Sequence, residues 1–229
     1  MSLVLAHSHG ALTKFENCPK RYYHERITKE VKDEGGEASV YGERVHKALE
    51  LRLRDKEPLP VEFWAYERYC QALESQPVEQ MLVEQELTIN NKLKQTGWWD
   101  EDAWVRAKLD VLIIAEKQAL IVDWKTGKPK DDWGQMEICA AMVFLCYPQV
   151  MTIRSSYVWL AHGKLSSNPR NYTRGDDQML LLMKLFQRIR RVEGAVTNNV
   201  WPAKPSGLCG YCPAKNICEF AKQPYKGRR

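Results

Sequence analysis

The chain has 229 residues, a net charge of +5 and seven cysteines, and 44% of its residues are hydrophobic. This length and composition allow one large domain with a sizeable core. No apolar run approaches the roughly 20 residues that cross a bilayer, and the opening segment lacks the basic-then-apolar pattern of a secretion signal. We therefore expect a soluble, intracellular protein with no membrane partner.

The first third of the chain is predicted to be helical. Its middle segment is the most strongly patterned, because Val45, Leu49 and Leu53 recur at a spacing of four. Its first segment is interrupted at Pro19. The predicted helical segments are residues 11–27, 41–54 and 60–76.

The period then changes to that of strands. In the second strand candidate, apolar residues alternate with the charged Arg106, Lys108 and Asp110, so one face should be core and the other polar. The polar EKQ between the second and third candidates fits a tight hairpin. The predicted strands are 81–89, 104–116, 118–125 and 151–161, and the later helices are 133–147 and 176–195. We predict an α/β (α+β) fold in which helices flank a sheet whose first three strands form a meander.

Charged residues end the third predicted strand. Asp123 and Lys125 are two residues apart, so they project from the same face. The hairpin brings Asp110 close to Asp123, and two carboxylates on adjacent strands can seat a hard divalent cation. A lysine beside them could hold a water or stabilise charge on a phosphate. On these residues alone, a surface ion pair of Asp123 with Lys125 or Lys108 is the simpler interpretation.

The order of motifs is more specific than the triplet. The chain resembles the PD-(D/E)XK nuclease superfamily of the RecB type in the order of three features: RAKLD, the hairpin and VDWKTG. In this resemblance Asp110, Asp123 and Lys125 are the catalytic residues. YGERVHKALE resembles the histidine helix of these nucleases and WGQMEICAAMV the helix after the catalytic strand, which adds His46 and Gln135. The resemblance implies a restriction-endonuclease-like core with a mixed central sheet.

The resemblance also implies how the site works. Lys125 would orient the attacking water or stabilise the transition state, and Gln135 would contact the substrate or the lysine. Glu86 lies on the preceding strand, either near the metal as an additional acidic residue or as a half-exposed strand glutamate. Two positions depart from the family pattern: Ala107 stands where glycine is usual, and Cys139 stands where tyrosine is common. The implied ligands of Mn²⁺ or Mg²⁺ are His46, Asp110, Asp123 and the backbone carbonyl of Trp124.

The cysteines fall into two groups. Cys70, Cys139 and Cys146 lie in apolar or helical stretches, where a free cysteine behaves as a small buried hydrophobe. The other four lie beside proline, glycine and aromatic residues. Without a secretion signal, they favour metal chemistry over disulfides, and four thiolates can bind zinc or a [4Fe–4S] cluster. These four are Cys18, Cys209, Cys212 and Cys218.

One of these cysteines is near the start of the chain and three are near the end. This split resembles the iron–sulfur staple of RecB-type nucleases, including the CRISPR-associated exonucleases and the AddB nuclease domain, and favours a [4Fe–4S] cluster over zinc. The resemblance covers nearly the whole chain and implies a single nuclease domain over 1–229. Within it, residues 1–30 and 200–221 would form the iron–sulfur segment, with a structural and DNA-positioning role, and 222–229 a basic tail.

Two segments are candidates for contacting DNA. Beside Cys18, the cations and aromatic rings of Lys20, Arg21, Tyr22 and Tyr23 suit a phosphate backbone. TGWWDEDAW, residues 96–104, could stack on unpaired bases or close over the edge of a core. Its acidic residues repel phosphates, which favours the core interpretation.

The resemblance implies a metal-dependent DNA exonuclease that acts 5′ to 3′ on single-stranded ends, in recombination, repair, or phage- or CRISPR-related DNA processing. Its location would then be the cytoplasm of a bacterial, archaeal or phage-infected cell, and recombination or CRISPR-adaptation proteins would be its protein partners. An alternative is a non-catalytic iron–sulfur DNA-binding subunit of such a complex, and another is a zinc-stapled structural protein. The intact set of His46, Asp110, Asp123 and Lys125 argues against a degenerate site.

Overall fold

The structure, a computed structural model, describes residues 5–76, 78–130, 132–165 and 169–222. The chain divides into two compact units. One contains Gly35–Lys184 and the first described residues, and the other contains His7–Glu34 and the described residues from Leu185 onward. No helix in the described ranges is long and apolar enough to cross a membrane. Apart from Lys222, the basic tail predicted at 222–229 lies outside the described residues.

The predicted helices and strands are present. The helix predicted over 60–76 divides into a 3₁₀ part and an α part, and two short strands, β5 and β6, were not predicted. The α-helices are α1 (His9–Asn17), α2 (Pro19–Tyr22), α3 (Glu37–Arg54), α4 (Glu67–Glu74), α5 (Trp133–Cys146) and α6 (Asp176–Asn198). The strands are β1 (Gln80–Asn90), β2 (Ala103–Ala115), β3 (Gln118–Lys125), β4 (Thr152–Trp159), β5 (Lys164–Leu165) and β6 (Arg170–Thr173). A π-helical turn spans Tyr23–Ile27, and 3₁₀ turns span Val61–Tyr66, Leu160–His162, Cys209–Tyr211 and Glu219–Lys222.

The strands of the described residues form one six-stranded mixed sheet. The first three strands pair as an antiparallel meander in the order β1-β2-β3. The chain then passes through α5 and returns as β4, which pairs parallel with β3, and β5 and β6 both pair antiparallel with β4. A mixed central sheet flanked by helices confirms the predicted fold class.

A two-residue hairpin sets the register of the two central strands. Ala115 pairs with Gln118 and Val111 with Val122, and Glu116 in the turn adopts a φ of 52°. One step beyond Val111 and Val122, the same register brings Asp110 opposite Asp123. The turn therefore determines that the two acidic residues meet.

Apolar packing fixes α3 on the sheet. The predicted stripe of Val45, Leu49 and Leu53 is fully buried and belongs to the same core cluster as Val111 and Val122. Cys70 of α4 and Cys139 of α5 are also buried, as the sequence predicts, whereas Cys146 is half-buried. The helix that carries His46 is thus held by the core.

The second unit has its own aromatic cluster. Tyr22 is completely buried, its ring lies nearly parallel to that of Trp201 with centroids 6.2 Å apart, and it makes a T-shaped contact with Phe15 with centroids 5.5 Å apart. Arg188 donates hydrogen bonds of 2.7 and 2.8 Å to the Glu16 carboxylate. Tyr22 is therefore a core residue and not the DNA contact that the sequence suggested, because it has no exposed ring face.

Candidate functional site

A cluster of metal-ligating side chains lies where α3 meets β1 and β2. His46, Glu84 and Asp110 each offer one ligand atom, and these atoms all lie within 4.8 Å of one another. The Nδ1 of His46 is 3.3 Å from Oδ1 of Asp110. Three elements distant in sequence therefore supply one compact donor set.

Glu84 reaches the cluster through an irregularity in β1. Its neighbours pair regularly with β2, Val83 with Val111 and Gln85 with Leu109. Glu84 itself, opposite Asp110 by that register, adopts a φ of 53° and drops out of the ladder. A positive φ is rare for glutamate, and such strained positions concentrate at functional sites.

The backbone of β3 fixes the orientation of Asp110. The Trp124 N–H donates a 2.7 Å hydrogen bond to Oδ2 of Asp110. With Oδ2 engaged by the strand, Oδ1 is the oxygen that faces His46. The Trp124 indole is 2% exposed and belongs to the core cluster that holds α3. Its packing therefore supports the donor geometry.

Asp123, Lys125 and Gln135 form a closed ring of polar contacts. The Lys125 Nζ lies 2.5 Å from Asp123 Oδ2 and donates to Oε1 of Gln135 at 3.1 Å. The Gln135 Nε2 donates to Asp123 Oδ1 at 2.6 Å. Gln135 is in the first turn of α5, whose start is capped by the Asp132 side chain. The Lys125 Nζ also lies 5.3 Å from the centroid of the Tyr157 ring.

The electrostatics of the site follow from burial and from three neighbouring acids. Burial and the charge of Asp110 raise the pKa of Asp123 to about 7, against the opposing effects of Lys125 and His46. Burial alone would lower the pKa of His46, but its hydrogen bond to Asp110 and the charges of Asp110, Asp123 and Glu84 outweigh that and raise it. A cation bound there would favour the ionised form of Asp123 and offset its repulsion from Asp110.

The residues present fit a hard divalent cation. Two carboxylates and an imidazole are suitable donors for Mn²⁺ or Mg²⁺. Oδ2 of Asp123 is buried and makes no well-directed hydrogen bond to any described residue, although Lys125 lies beside it. Such an atom has spare capacity to bind a cation.

The structure brings together most of the site residues predicted from the sequence. His46 and Asp110 belong to the donor cluster, Asp123, Lys125 and Gln135 form the adjoining ring, and Trp124 contributes its N–H. Asp123 lies outside the 4.8 Å group, and its role as a ligand stays a prediction, as does that of the Trp124 carbonyl.

Glu86 is not at the centre of the site. It is exposed and pairs with Lys108 in the ladder, whereas Glu84 belongs to the donor cluster with His46 and Asp110. Both glutamates are on β1 and two residues apart, so the sequence indicates the strand but cannot choose between them. The choice depends on the register between β1 and β2.

The four cysteines predicted to bind an iron–sulfur cluster all lie in the second unit and are all partly exposed. They are Cys18, Cys209, Cys212 and Cys218. Within the described residues, their thiols do not form a group whose ligand atoms lie within 4.8 Å of one another. Burial raises the pKa of the Cys212 thiol, and the charges of Cys18 and Cys218 add to this effect. These three thiols therefore share one electrostatic neighbourhood.

Residues 20–23, predicted to contact DNA, make contacts with other residues of the second unit. Arg21 forms ion pairs with Glu25 and with Asp33, the latter at 2.6 Å. The Lys20 Nζ lies 5.7 Å from the centroid of the Tyr23 ring. The contacts of Lys20, Arg21 and Tyr23 with DNA stay predictions.

An acidic donor cluster with an adjoining lysine, on the strands of a mixed α/β sheet, is an arrangement suited to metal-dependent hydrolysis of phosphodiesters. The chain matches the PD-(D/E)XK nuclease superfamily over residues 6–219, and it belongs to that superfamily. Membership implies divalent-metal-dependent nuclease activity with DNA as the substrate.

Comparison with curated proteins gives no match. Among solved structures, 31 chains match. One of these, described as the crystal structure of SSO0001, is 12% identical and has a TM-score of 0.49, with 95% of this chain and 88% of that chain covered. At this level of similarity the match says nothing about the site.

Proposed function

We propose that the protein is a RecB-type, divalent-metal-dependent deoxyribonuclease whose metal is held by His46, Glu84 and Asp110, with Asp123 alongside. The observation that carries the proposal is the convergence of these side chains next to Lys125. A surface ion pair would not require a buried carboxylate, an imidazole and a strained glutamate at one point.

The residues of the chain have distinct roles in this proposal. A divalent ion bound there would polarise the scissile phosphate and lower the pKa of a bound water. Lys125 donates hydrogen bonds from Nζ to the attacking water or to the developing charge on the phosphate. Gln135 and Asp123 hold that Nζ in place, and the Trp124 N–H keeps Asp110 oriented.

We further propose exonuclease action, 5′ to 3′, on single-stranded DNA ends, in recombination, repair, or phage- or CRISPR-related processing. This part rests on the resemblance of the histidine helix, the catalytic strand and the cysteine segment to RecB-type nucleases. The cytoplasmic location proposed for the protein follows from the same function.

We also propose that Cys18, Cys209, Cys212 and Cys218 hold a [4Fe–4S] cluster that staples the two ends of the chain together. Their location in one unit supports this, as does the effect of Cys18 and Cys218 on the Cys212 thiol. Four thiols are the donor set that such clusters require, and zinc is the other ion they would accept.

The catalytic proposal is tested with single-stranded DNA carrying a label and a block at either the 5′ or the 3′ end, in Mn²⁺ or Mg²⁺. We expect Asp110→Asn and Lys125→Ala each to reduce cleavage by about 100-fold or more while the protein stays folded. A 5′ block should stop digestion and a 3′ block should not. Wild-type cleavage by both variants would overturn the assigned site, whereas no cleavage by the wild-type protein would support a non-catalytic subunit.

The proposal of an iron–sulfur cluster is tested by purifying the protein without oxygen. A [4Fe–4S] protein is brown and absorbs visible light, whereas a zinc protein is colourless, and metal analysis distinguishes the two. A colourless preparation with neither iron nor zinc would overturn both assignments.

A further inference from the structure

The loop between β1 and β2, residues 91–102, carries two tryptophans, Trp98 and Trp99, on a hydrogen-bonded frame. The Asp100 carboxylate accepts from the Gly97 N–H at 2.7 Å, and Asp102 accepts from the Asn90 side chain at 2.9 Å. Trp99 is nevertheless 83% exposed. An indole that closes over the edge of a core would not be left so open.

A single arginine lies against both indoles. The guanidinium carbon of Arg106 is 5.5 Å from the ring centroid of Trp98 and 5.4 Å from that of Trp99. The Nε of Arg106 is buried and has no hydrogen-bond partner among the described residues. Cation–π contact therefore holds the arginine and orients the rings.

This aromatic platform, Trp98 and Trp99 with Arg106, lies on the same side of β2 as the metal ligand Asp110. Arg106, Lys108 and Asp110 alternate along the strand and so project from one face. Arg106 and Asp110 are separated by about 13 Å along the strand. That distance equals about four stacked nucleotides, or fewer of an extended strand.

The open end of this face suits a nucleic acid strand. Farther along the same face Leu112 and Ile114 are buried, whereas Lys108 is exposed and Arg106 and Asp110 are partly exposed. The acidic residues of the loop do not suit phosphates, and Asp100 and Asp102 are hydrogen-bonded within the loop. A neutral, flat ligand group fits the platform better than a phosphate does.

We infer that Trp99, braced by Arg106, is a stacking subsite for an unpaired base of the substrate strand, a few nucleotides from the scissile phosphate. The inference rests on the proposed nuclease function and names its substrate as a single strand with an accessible base. Stacking of a base on an aromatic ring is tolerant of sequence, so the subsite would strengthen binding without selecting a base.

The test measures binding of labelled oligothymidylate to the full chain in EDTA, so that cleavage does not interfere. Trp99→Ala should weaken binding by about 5- to 150-fold, and Trp99→Tyr should restore most of it. The slope of affinity against salt should not change, because no phosphate contact is lost. The matched control is Trp64→Ala, an indole 63% exposed on the Val61–Tyr66 turn, which should bind as the wild type does.

An abasic scan locates the stacked base. One abasic position should weaken wild-type binding as much as Trp99→Ala does, and the two changes together should cost no more than either alone. Unchanged binding by Trp99→Ala, or an equal loss in Trp64→Ala, would overturn the subsite. A protein that binds through Trp99 but cuts no DNA in Mg²⁺ or Mn²⁺ would instead refute only the nuclease proposal.

Discussion

The donor cluster of His46, Glu84 and Asp110 and the set of four cysteines differ in what holds their side chains in place. His46, Glu84 and Asp110 project from a packed helix and from paired strands. The cysteines lie at helix ends and on short 3₁₀ turns such as Cys209–Tyr211, where no ladder of hydrogen bonds fixes their positions. The donor set of His46, Glu84 and Asp110 is organised by the fold itself, whereas we expect the cysteines to be organised by the iron–sulfur cluster proposed for them. Loss of a ligand should therefore reduce activity at one site and stability at the other.

Cys212→Ser tests the second half of this comparison and has the largest expected effect. Loss of one thiolate should bleach the protein and lower the free energy of unfolding by about 3 kcal/mol or more, the scale of a lost cross-link or structural metal. Visible absorbance and calorimetry measure the two effects. Cys146→Ser, at the end of α5, is the matched control and should keep both the colour and the stability. A coloured, stable Cys212→Ser protein would contradict ligand-organised cysteines.

Glu84→Gln tests the first half. Replacing this carboxylate should reduce metal-dependent cleavage by about 100-fold, while the melting temperature stays near that of the wild type. Glu86→Gln is an ideal control, because it makes the same chemical change two residues along the same strand at an exposed position. Equal losses in the two variants would show that the cluster seen in the structure is not the metal site.

Arg52→Met tests whether the frame around α3 is stable without any metal. Arg52 donates two 2.9 Å hydrogen bonds to Glu67 and others of 3.0 and 3.1 Å to Glu74, tying α3 to α4. Its loss should cost about 1–2 kcal/mol in urea unfolding with EDTA present. Arg44→Met, which breaks the exposed pair with Glu62, should cost much less. Equal costs would mean that the partly buried network adds nothing.

The same variant has a defined pH dependence. The hydrogen bond from Arg52, with that from Lys56, lowers the pKa of Glu74. A carboxyl whose pKa is depressed in the folded state stabilises the fold above its unfolded pKa and loses that contribution as pH falls through its folded pKa. The difference in the free energy of unfolding between the wild type and Arg52→Met should have its full size at pH 7 and should decrease below about pH 4.5.

Gly42→Ala should have the smallest effect. A Cβ on this α3 residue would lie 3.3 Å from Oγ1 of Thr126, one turn from His46. Alanine should add up to about 1 kcal/mol of helix stability, yet displace the helix slightly and raise the metal concentration needed for half-maximal cleavage. Adding Thr126→Ala should restore metal affinity. Gly194→Ala in α6, where a Cβ meets open space, should leave metal dependence unchanged.

Much of the fold and of the site was predictable because it depends on local pattern. The spacing of Val45, Leu49 and Leu53 defines the buried face of α3, and the short turn after β2 determines that Asp110 meets Asp123. These features require only helix and strand periodicity and a hairpin of known length.

The parts that were not predictable depend on long-range register and packing. Residues 91–102 separate β1 from β2, so the sequence gives no register between them, and the positive φ of Glu84 has no sequence signature. Tyr22 and Tyr23 are adjacent in a basic segment, and only the packing of Phe15 and Trp201 shows that Tyr22 is the buried one. The short strands β5 and β6 lack the length that makes alternation visible.

The left-handed backbone at Glu84 implies that two separate constraints act on one position. Glycine and asparagine accept this conformation readily, whereas β-branched side chains resist it. The backbone therefore decides which residues at position 84 allow the protein to fold. Charge divides the same substitutions by chemistry, since on the proposed function a hard cation binds a carboxylate at this position more strongly than a neutral amide oxygen. In a library of all substitutions at position 84, we therefore expect glycine and asparagine to give folded proteins that do not cleave DNA. Only an acidic residue that tolerates the positive φ should give proteins that cleave it.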